Sequence, residues 1–186
     1  MKKVLWSVLL VAILTGCAGP RYKGFSSIEN PSSSKVVIRN NPKVRIGFQH
    51  AIESWLKAEG YEYTVVQDGS PYDLDKISLE YTALWQFHWI SYLGQARITA
   101  LSKGQKVGQV EYRAPNFLNN NKYGSADERV KYMMAVLFKK MTPEDATKLN
   151  NGEQPAQNAA APAAVGEQGK VPAGAVITTP TSTTIK

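Results

Sequence analysis

A strict alternation of apolar and polar residues marks the centre of the chain. From Ile77 to Trp89 every odd position is apolar, whereas the even positions, except Leu84, are polar. A period of two is typical of a β-strand with one buried face. Residues 92–102 and 107–113 continue the alternation with smaller side chains, so the three segments predict an antiparallel meander. We therefore expect the odd-numbered rings of the first strand to lie in the core.

The turn between the last two of these strands poses a question of register. Both strands place their buried residues at even positions, and residues paired directly across an antiparallel ladder share a face. A two-residue turn at Lys103-Gly104 would pair even with odd numbers. We therefore expect an odd-numbered loop with Gly104 in the left-handed region and a β-bulge. That register places Arg97 and Glu111 close together on the outer face.

Two other segments carry their apolar residues at helical spacing. The first lies between the breakers Asn41-Pro42 and Gly60, and the second follows a capping box at 125–128. Thr142-Pro143 begins a short final helix. The two apolar stripes are Phe48, Ala51, Ile52, Trp55 and Leu56, and then Val130, Met133, Met134, Leu137, Phe138 and Met141.

Short strands at 35–39 and 61–66 complete the folded domain, which we place at residues 35–149. The element order is strand, helix, strand, strand, strand, strand, helix. This order predicts an α+β fold, with a mostly antiparallel sheet of about five strands and two helices on one face.

The segments on either side of the domain have a different composition. Residues 17–34 are rich in Gly, Pro and Ser and predict a flexible tether, although Tyr22, Phe25 and Ile28 leave docking on the domain open. Residues 150–186 are rich in Ala, Pro and Thr, have no aromatic residue and carry no net charge. They predict a disordered tail, which is either passive or a spacer that threads the cell wall.

The N-terminus has the pattern of a bacterial signal peptide over residues 1–16. Two lysines precede an uncharged stretch at 4–14, which is too short to span a bilayer. Thr15-Gly16-Cys17 resembles a lipobox, in which Cys17 is lipidated and becomes the first residue of the mature chain. The alternative is an ordinary secretory signal with an accidental cysteine.

Lipidation of Cys17 would bind the protein to a membrane through acyl chains such as palmitate, and two or three chains give durable anchoring. Ala18 follows, rather than the aspartate of an inner-membrane retention signal. We therefore expect a periplasm-facing location on the outer membrane. Because Cys17 is the only cysteine, no disulfide is expected.

Charge and chemistry exclude several classes of function. The net charge of +7 falls to +5 without Lys2 and Lys3, and the basic residues of the domain are scattered, so we expect no nucleic-acid partner. His50 and His88 lack a spaced partner for a metal site. Asp73 and Asp75 lie in a turn, where carboxylates usually cap. No phosphate loop or nucleophile elbow is present. We expect no cofactor, no metal and no enzymatic activity.

The aromatic residues Trp85, His88, Trp89 and Tyr92 form the one group that is a candidate for binding. Aromatic rings stack on sugars and anchor protein interfaces. The competing interpretation assigns the odd-numbered rings to the core beneath the helices.

The same region resembles a family of small proteobacterial outer-membrane lipoproteins. The residues that carry the resemblance span about 77–114, and Phe87 and His88 stand where the family has a second tryptophan and an acid. They are Tyr81-Thr82-Ala83, Trp85, Tyr92, Ala96-Arg97-Ile98, Gly104, Val107-Gly108 and Tyr112. The resemblance implies an outer-membrane lipoprotein and supplies no activity.

The sequence therefore predicts a lipid-anchored envelope protein with a structural or protein-interaction role, docking through its sheet or an edge strand. The first alternative is a glycan- or peptidoglycan-binding module that uses the aromatic strand. The second is an envelope hydrolase, for which no nucleophile and base pair is visible. Exposure of Trp89 and Tyr92 would favour glycan binding, and a bare edge strand would favour a protein partner.

Replacement of Cys17 tests the anchor. Cys17→Ser should abolish lipid modification, because serine lacks the thiol that accepts the diacylglycerol. The variant should then be soluble or remain an unprocessed precursor, whereas the wild type stays with membranes after a high-salt wash. A variant that fractionates with washed membranes as the wild type does would contradict the lipobox interpretation.

Overall fold

The computed structural model describes residues 19–29, 35–116 and 118–153, so Cys17, the signal peptide and nearly all of the tail lie outside it. The strands are β1 (Tyr22–Ser26), β2 (Val36–Arg39), β3 (Tyr63–Val66), β4 (Ile77–His88), β5 (Ile90–Ser102) and β6 (Gln105–Arg113). The helices are α1 (Ile46–Ala58), α2 (Ala126–Leu137) and α3 (Pro143–Asn150), with a 3-10 helix at Asn120–Tyr123.

The six strands form one mixed sheet in the order β1-β6-β5-β4-β2-β3. The pairs β1–β6, β6–β5 and β5–β4 are antiparallel, whereas β4–β2 and β2–β3 are parallel. The α+β class and the mostly antiparallel sheet are confirmed. The sheet has six strands rather than about five, because a strand precedes the predicted domain.

The additional strand, β1, corrects the interpretation of residues 17–34 as a flexible tether. Tyr22 and Ile28 are fully buried, and the Tyr22 ring lies 5.2 Å from that of Tyr112. Burial raises the pKa of Tyr112 to about 12 and that of Tyr22 further. The Thr147 hydroxyl of α3 accepts hydrogen bonds from the backbone N–H groups of Arg21 (3.1 Å) and Tyr22 (3.3 Å). The domain therefore begins at β1.

The helices pack with their predicted stripes against one face of the sheet. Trp55 of α1 and Phe138, just after α2, have ring centres 5.2 Å apart, and Tyr61 completes the cluster. The predicted caps are confirmed, because the Ser125 hydroxyl accepts from the Glu128 N–H and the Thr142 hydroxyl from the Asp145 N–H. The face opposite the helices is called the outer face below.

The alternation along β4 holds for only its first half. Ile77, Leu79 and Tyr81 are buried, but Trp85 is half-buried, and Phe87 and Trp89 are 79% and 82% exposed. The reason is that β4 runs beyond the end of β6, and no described helix buries Phe87 or Trp89. The expectation that all the odd-numbered rings are core is therefore wrong for the last two.

The β5–β6 connection corrects the predicted loop but keeps its consequence. Ser102 pairs with Gln105, so the turn has two residues, Lys103 and Gly104, with φ of +51° and +75°. The bulge lies inside the ladder, because Ala100 pairs with Gly108 and Leu101 pairs with Lys106. The extra residue, Val107, thus lies in the strand and not in the turn. The buried residues of β5 and β6 therefore stay on the same face of the sheet. The predicted ion pair is confirmed, with Arg97 Nε 2.8 Å from Glu111 Oε1.

The buried position of Tyr22 generates a stability prediction. Tyr22→Ala removes a ring that is fully enclosed and should lower the free energy of unfolding by about 3–5 kcal/mol. Phe25→Ala, in the same strand but with a ring that is 52% exposed, should cost less than about 0.5 kcal/mol. Urea unfolding of both variants measures the difference. If both variants lose less than about 0.5 kcal/mol, β1 is not part of the folded core and residues 17–34 act as a tether.

Candidate functional site

The β4–β5 hairpin extends past the end of the remaining sheet. Pairing of β5 with β6 ends at Gln95↔Arg113, and Gln95 also pairs with Leu84. After Leu84 the register shifts, so Trp85 pairs with Leu93 and leaves Gly94 as an extra residue. A Cβ on Gly94 would lie 2.6 Å from the Gln86 side chain, so a larger residue at this bulge would displace that side chain. The last residues of β4 and the first of β5 form a two-stranded projection.

The tip of this projection is one residue, Trp89. His88 pairs with Ile90, and Trp89 joins them with a φ of +68°. A bulky L-residue in the left-handed region costs about 1–2 kcal/mol, and glycine or asparagine is the usual occupant. The indole is 82% exposed and meets the His88 ring edge-on at 5.8 Å, so it gains little packing energy to offset this cost. The turn itself therefore does not favour tryptophan, and a role for the exposed ring outside the turn is indicated.

His88 joins the hairpin to the 3-10 helix. Its Nδ1 lies 2.6 Å from the Tyr123 hydroxyl, which donates its single proton to the His88 carbonyl oxygen at 2.7 Å. The Nδ1–H group must therefore be the donor in the first contact. The two rings stack with centres 6.4 Å apart. This reciprocal pair gives His88 a structural role at the base of the tip.

Tyr92 and Trp85 are both engaged within the fold. The Tyr92 hydroxyl donates to Gln86 Oε1 at 2.9 Å, and its ring meets Tyr123 edge-on at 5.7 Å. On the helix side, the Arg45 guanidinium lies 4.3 Å above the Trp85 ring. Of the four predicted binding residues, Trp89 alone presents an open ring.

Sequence reasoning missed Tyr123, Arg45 and the buried Lys122, whose ammonium lies 4.9 Å from the Tyr123 ring. Lys122 and Tyr123 lie in the polar segment 116–124, whose sequence has no apolar periodicity. The available signal was Asn119, whose side chain accepts from the Asn121 N–H at 2.9 Å and caps the 3-10 helix. Arg45 gave no signal, because its contacts are with a distant strand.

A basic depression lies on the outer face, at the end from which the hairpin projects. Its volume is about 380 Å³, and its cations are Arg21, Lys23, Arg97 and Arg113. The one acid in its wall is Glu111, which pairs with Arg97. Within the described residues, the other three cations have no ion pair. The buried Nε of Arg21 also lacks an acceptor there. We call this site the basic trough.

Other candidate chemistry in the described part of the chain is structural. Asp73 accepts from Lys76 and from the Asp75 N–H, and these hydrogen bonds hold its pKa below the ordinary value. His50 is exposed on α1. Residues 19–29, 35–116 and 118–153 contain no group of three His, Cys, Asp or Glu arranged to hold a metal. They also contain no helix long and apolar enough to span a membrane.

Comparison with known proteins gives little further information. No family model matches the chain, and no curated protein is similar to it. Among solved structures, a minor lipoprotein from Acinetobacter baumannii is similar over 64% of this chain and 94% of its own, with 12% identity and a TM-score of 0.26. At that TM-score the similarity indicates neither a shared fold nor a shared role.

The contrast between Trp85 and Trp89 can be measured directly. Trp85→Ala should cost about 1–3 kcal/mol, less than the 3–5 kcal/mol of a fully buried ring, because part of this ring is already in solvent. Trp89→Asn should leave stability unchanged or raise it by up to about 1 kcal/mol, since asparagine tolerates a positive φ. Urea melts of both variants test this, and a large loss for Trp89→Asn would contradict the exposed position of the tip.

Proposed function

We propose that this chain is a lipid-anchored protein of the cell envelope whose folded domain binds another envelope component and catalyses no reaction. The anchor is Cys17, preceded by small residues and an apolar segment that is too short to span a bilayer. Ala18 at the next position supports retention at the outer membrane, facing the periplasm. Nothing in the described site pairs a nucleophile with a base, which favours a binding role.

The basic trough carries the proposal. The described helices pack on the other face of the sheet and leave the outer face, with the basic trough, open to a partner. Three of the four trough cations have no anion within the described residues, and clustered cations lower the energy of an opposing negative charge. The surface therefore fits an envelope component with carboxylate or phosphate groups.

The two sheet edges are less suitable than the face. At the β3 edge, the backbone N–H groups of Val36 and Asn40 donate to the carbonyl oxygens of Glu62 and Val66. Within β3, therefore, only Tyr63 and Val65 direct their backbone groups outward. At the other edge, the start of β1 is occupied by Thr147. Short edges of this kind are poor templates for strand addition. Docking through the outer face is thus favoured over docking through an edge strand.

Glycan binding is the second candidate, and the exposure of Trp89 favours it. Tyr92, the other residue on which it depends, is half-buried and bonded to Gln86. A sugar site normally combines a ring with several convergent polar groups. Only one of the two rings is therefore available to a glycan.

Crosslinking in intact envelopes tests the outer-face proposal. A photoreactive amino acid at Gln95, in the wall of the basic trough, should yield a discrete adduct. The matched position is Ser54, which is exposed on α1 on the helix side, and it should yield none. Adding Arg113→Glu should strongly reduce the Gln95 adduct, because it places an acid opposite an acidic partner. Equal labelling at both positions, or an adduct indifferent to Arg113→Glu, would refute docking at the basic trough.

A further inference from the structure

The exposed hairpin tip lies at the end of the sheet from which the chain leads back to Cys17. Arg21, at the start of β1, bonds Arg113 at the end of β6, with the Arg113 N–H 3.0 Å from the Arg21 carbonyl oxygen. Arg113 pairs with Gln95, and Gln95 pairs with Leu84. These four residues define one level across the sheet. Among the described residues, the hairpin projection and its flanking loop extend beyond that level, and Arg45 reaches Ser91 of the projection. At the same end of the sheet, the chain leads back from Arg21 toward Cys17.

The lengths of the two extensions agree. From the level of Leu84 to the tip the hairpin advances four to five residues, or about 13–16 Å at ~3.3 Å per residue. From Arg21 back to Cys17 there are four peptide steps, which span at most about 14 Å. An acylated Cys17 therefore holds this end of the sheet within one hairpin length of the bilayer.

The chemistry of the tip suits a membrane interface. Phe87, Trp89 and Ile90, which lie within four consecutive positions, are exposed large apolar residues. Tryptophan is enriched at the headgroup level of membranes. Residues 81–110 contain no aspartate or glutamate. Cations flank the projection, because Arg45 bonds Ser91 Oγ at 3.0 Å and the basic trough lies at its base. Such a surface is attracted to anionic lipid.

We propose that the β4–β5 hairpin inserts the apolar residues of its tip into the interface of the bilayer that holds the acyl chains of Cys17. These residues are Phe87, Trp89 and Ile90. The hairpin is then a second contact with the membrane, which fixes the orientation of the domain and the direction in which the outer face points. The positive φ of Trp89 is consistent with this role, since the ring serves the bilayer and not the turn. This inference rests on the lipid anchor in the proposed function.

Quenching of tryptophan fluorescence by brominated lipid tests the contact. The processed, full-length protein is reconstituted into phosphatidylethanolamine–phosphatidylglycerol vesicles with bromine near the headgroup end of the acyl chains. The mature chain has Trp55, Trp85 and Trp89. The difference between the emission of the wild type and that of Trp89→Phe is the emission of Trp89, and the phenylalanine keeps the tip apolar. Brominated vesicles should quench most of this Trp89 emission, and unbrominated vesicles should leave it unchanged.

A matched control places the same reporter at the opposite end of the sheet. Leu74 precedes β4 and is 57% exposed. In the double variant Trp89→Phe/Leu74→Trp, the new indole should escape quenching. Quenching at Leu74 as strong as at Trp89 would mean that the domain has no fixed orientation and would overturn the inference.

The remaining outcomes separate this inference from the function on which it rests. Mass spectrometry that finds Cys17 unmodified overturns the lipid anchor, and the hairpin contact with it. Acylated protein with an unquenched Trp89 overturns the hairpin contact alone. Retention of the wild type, but not of Trp89→Asn, on isolated peptidoglycan assigns the ring to a glycan and overturns the bilayer contact.

Discussion

The pairing of β1 with β6 is the constraint on which the arrangement of this protein depends. It makes residues 22–26 the edge of the sheet and not a tether, with Tyr22 buried beside Tyr112. The approach is so close that a Cβ on Gly24 would lie 2.5 Å from the Gln109 carbonyl oxygen. Only glycine lets the strands pair here. Because the pairing is antiparallel, it also sets the end of the sheet at which the described part of the chain begins.

The projecting hairpin depends on a second local constraint, the bulge at Gly94. A regular ladder would pair Trp85 with Gly94, whereas the extra residue shifts the partner of Trp85 to Leu93 and increases the twist. The side chain of Gln86 fills the space above Gly94 and bonds Tyr92. The 3-10 helix then supports the projection through the His88–Tyr123 pair. An isolated two-stranded ribbon is marginal in water, so these contacts are what hold the tip in position.

Two surfaces of different chemistry meet at this end of the domain. The tip is apolar and lacks acids nearby, and the basic trough at its base is polar and cationic. The apolar tip suits the interface of a bilayer. An acidic partner in the periplasm would meet the basic trough, on the outer face that the described helices leave uncovered. In the two proposals, the hairpin tip contacts the membrane and the basic trough at its base contacts the partner.

The sequence by itself determined the elements whose signals are local. The alternation in β5, β6 and the first half of β4, the stripes of α1 and α2, the N-caps of α2 and α3, and the Arg97–Glu111 pair follow from period, turn chemistry and register, and the structure confirms them. The start of α1 does not follow in this way, because the helix begins at Ile46 and not at the breaker Asn41-Pro42. Periodicity assigns a residue to a face but does not say whether another element covers that face. The tertiary structure alone decided that β1 joins the sheet, that Phe87 and Trp89 leave the core, and that the extra residue of the β5–β6 connection lies in the strand. It also brought Arg21, Lys23, Arg97 and Arg113 together from three strands, because strand pairing over long sequence separations is set by packing and not by any local pattern.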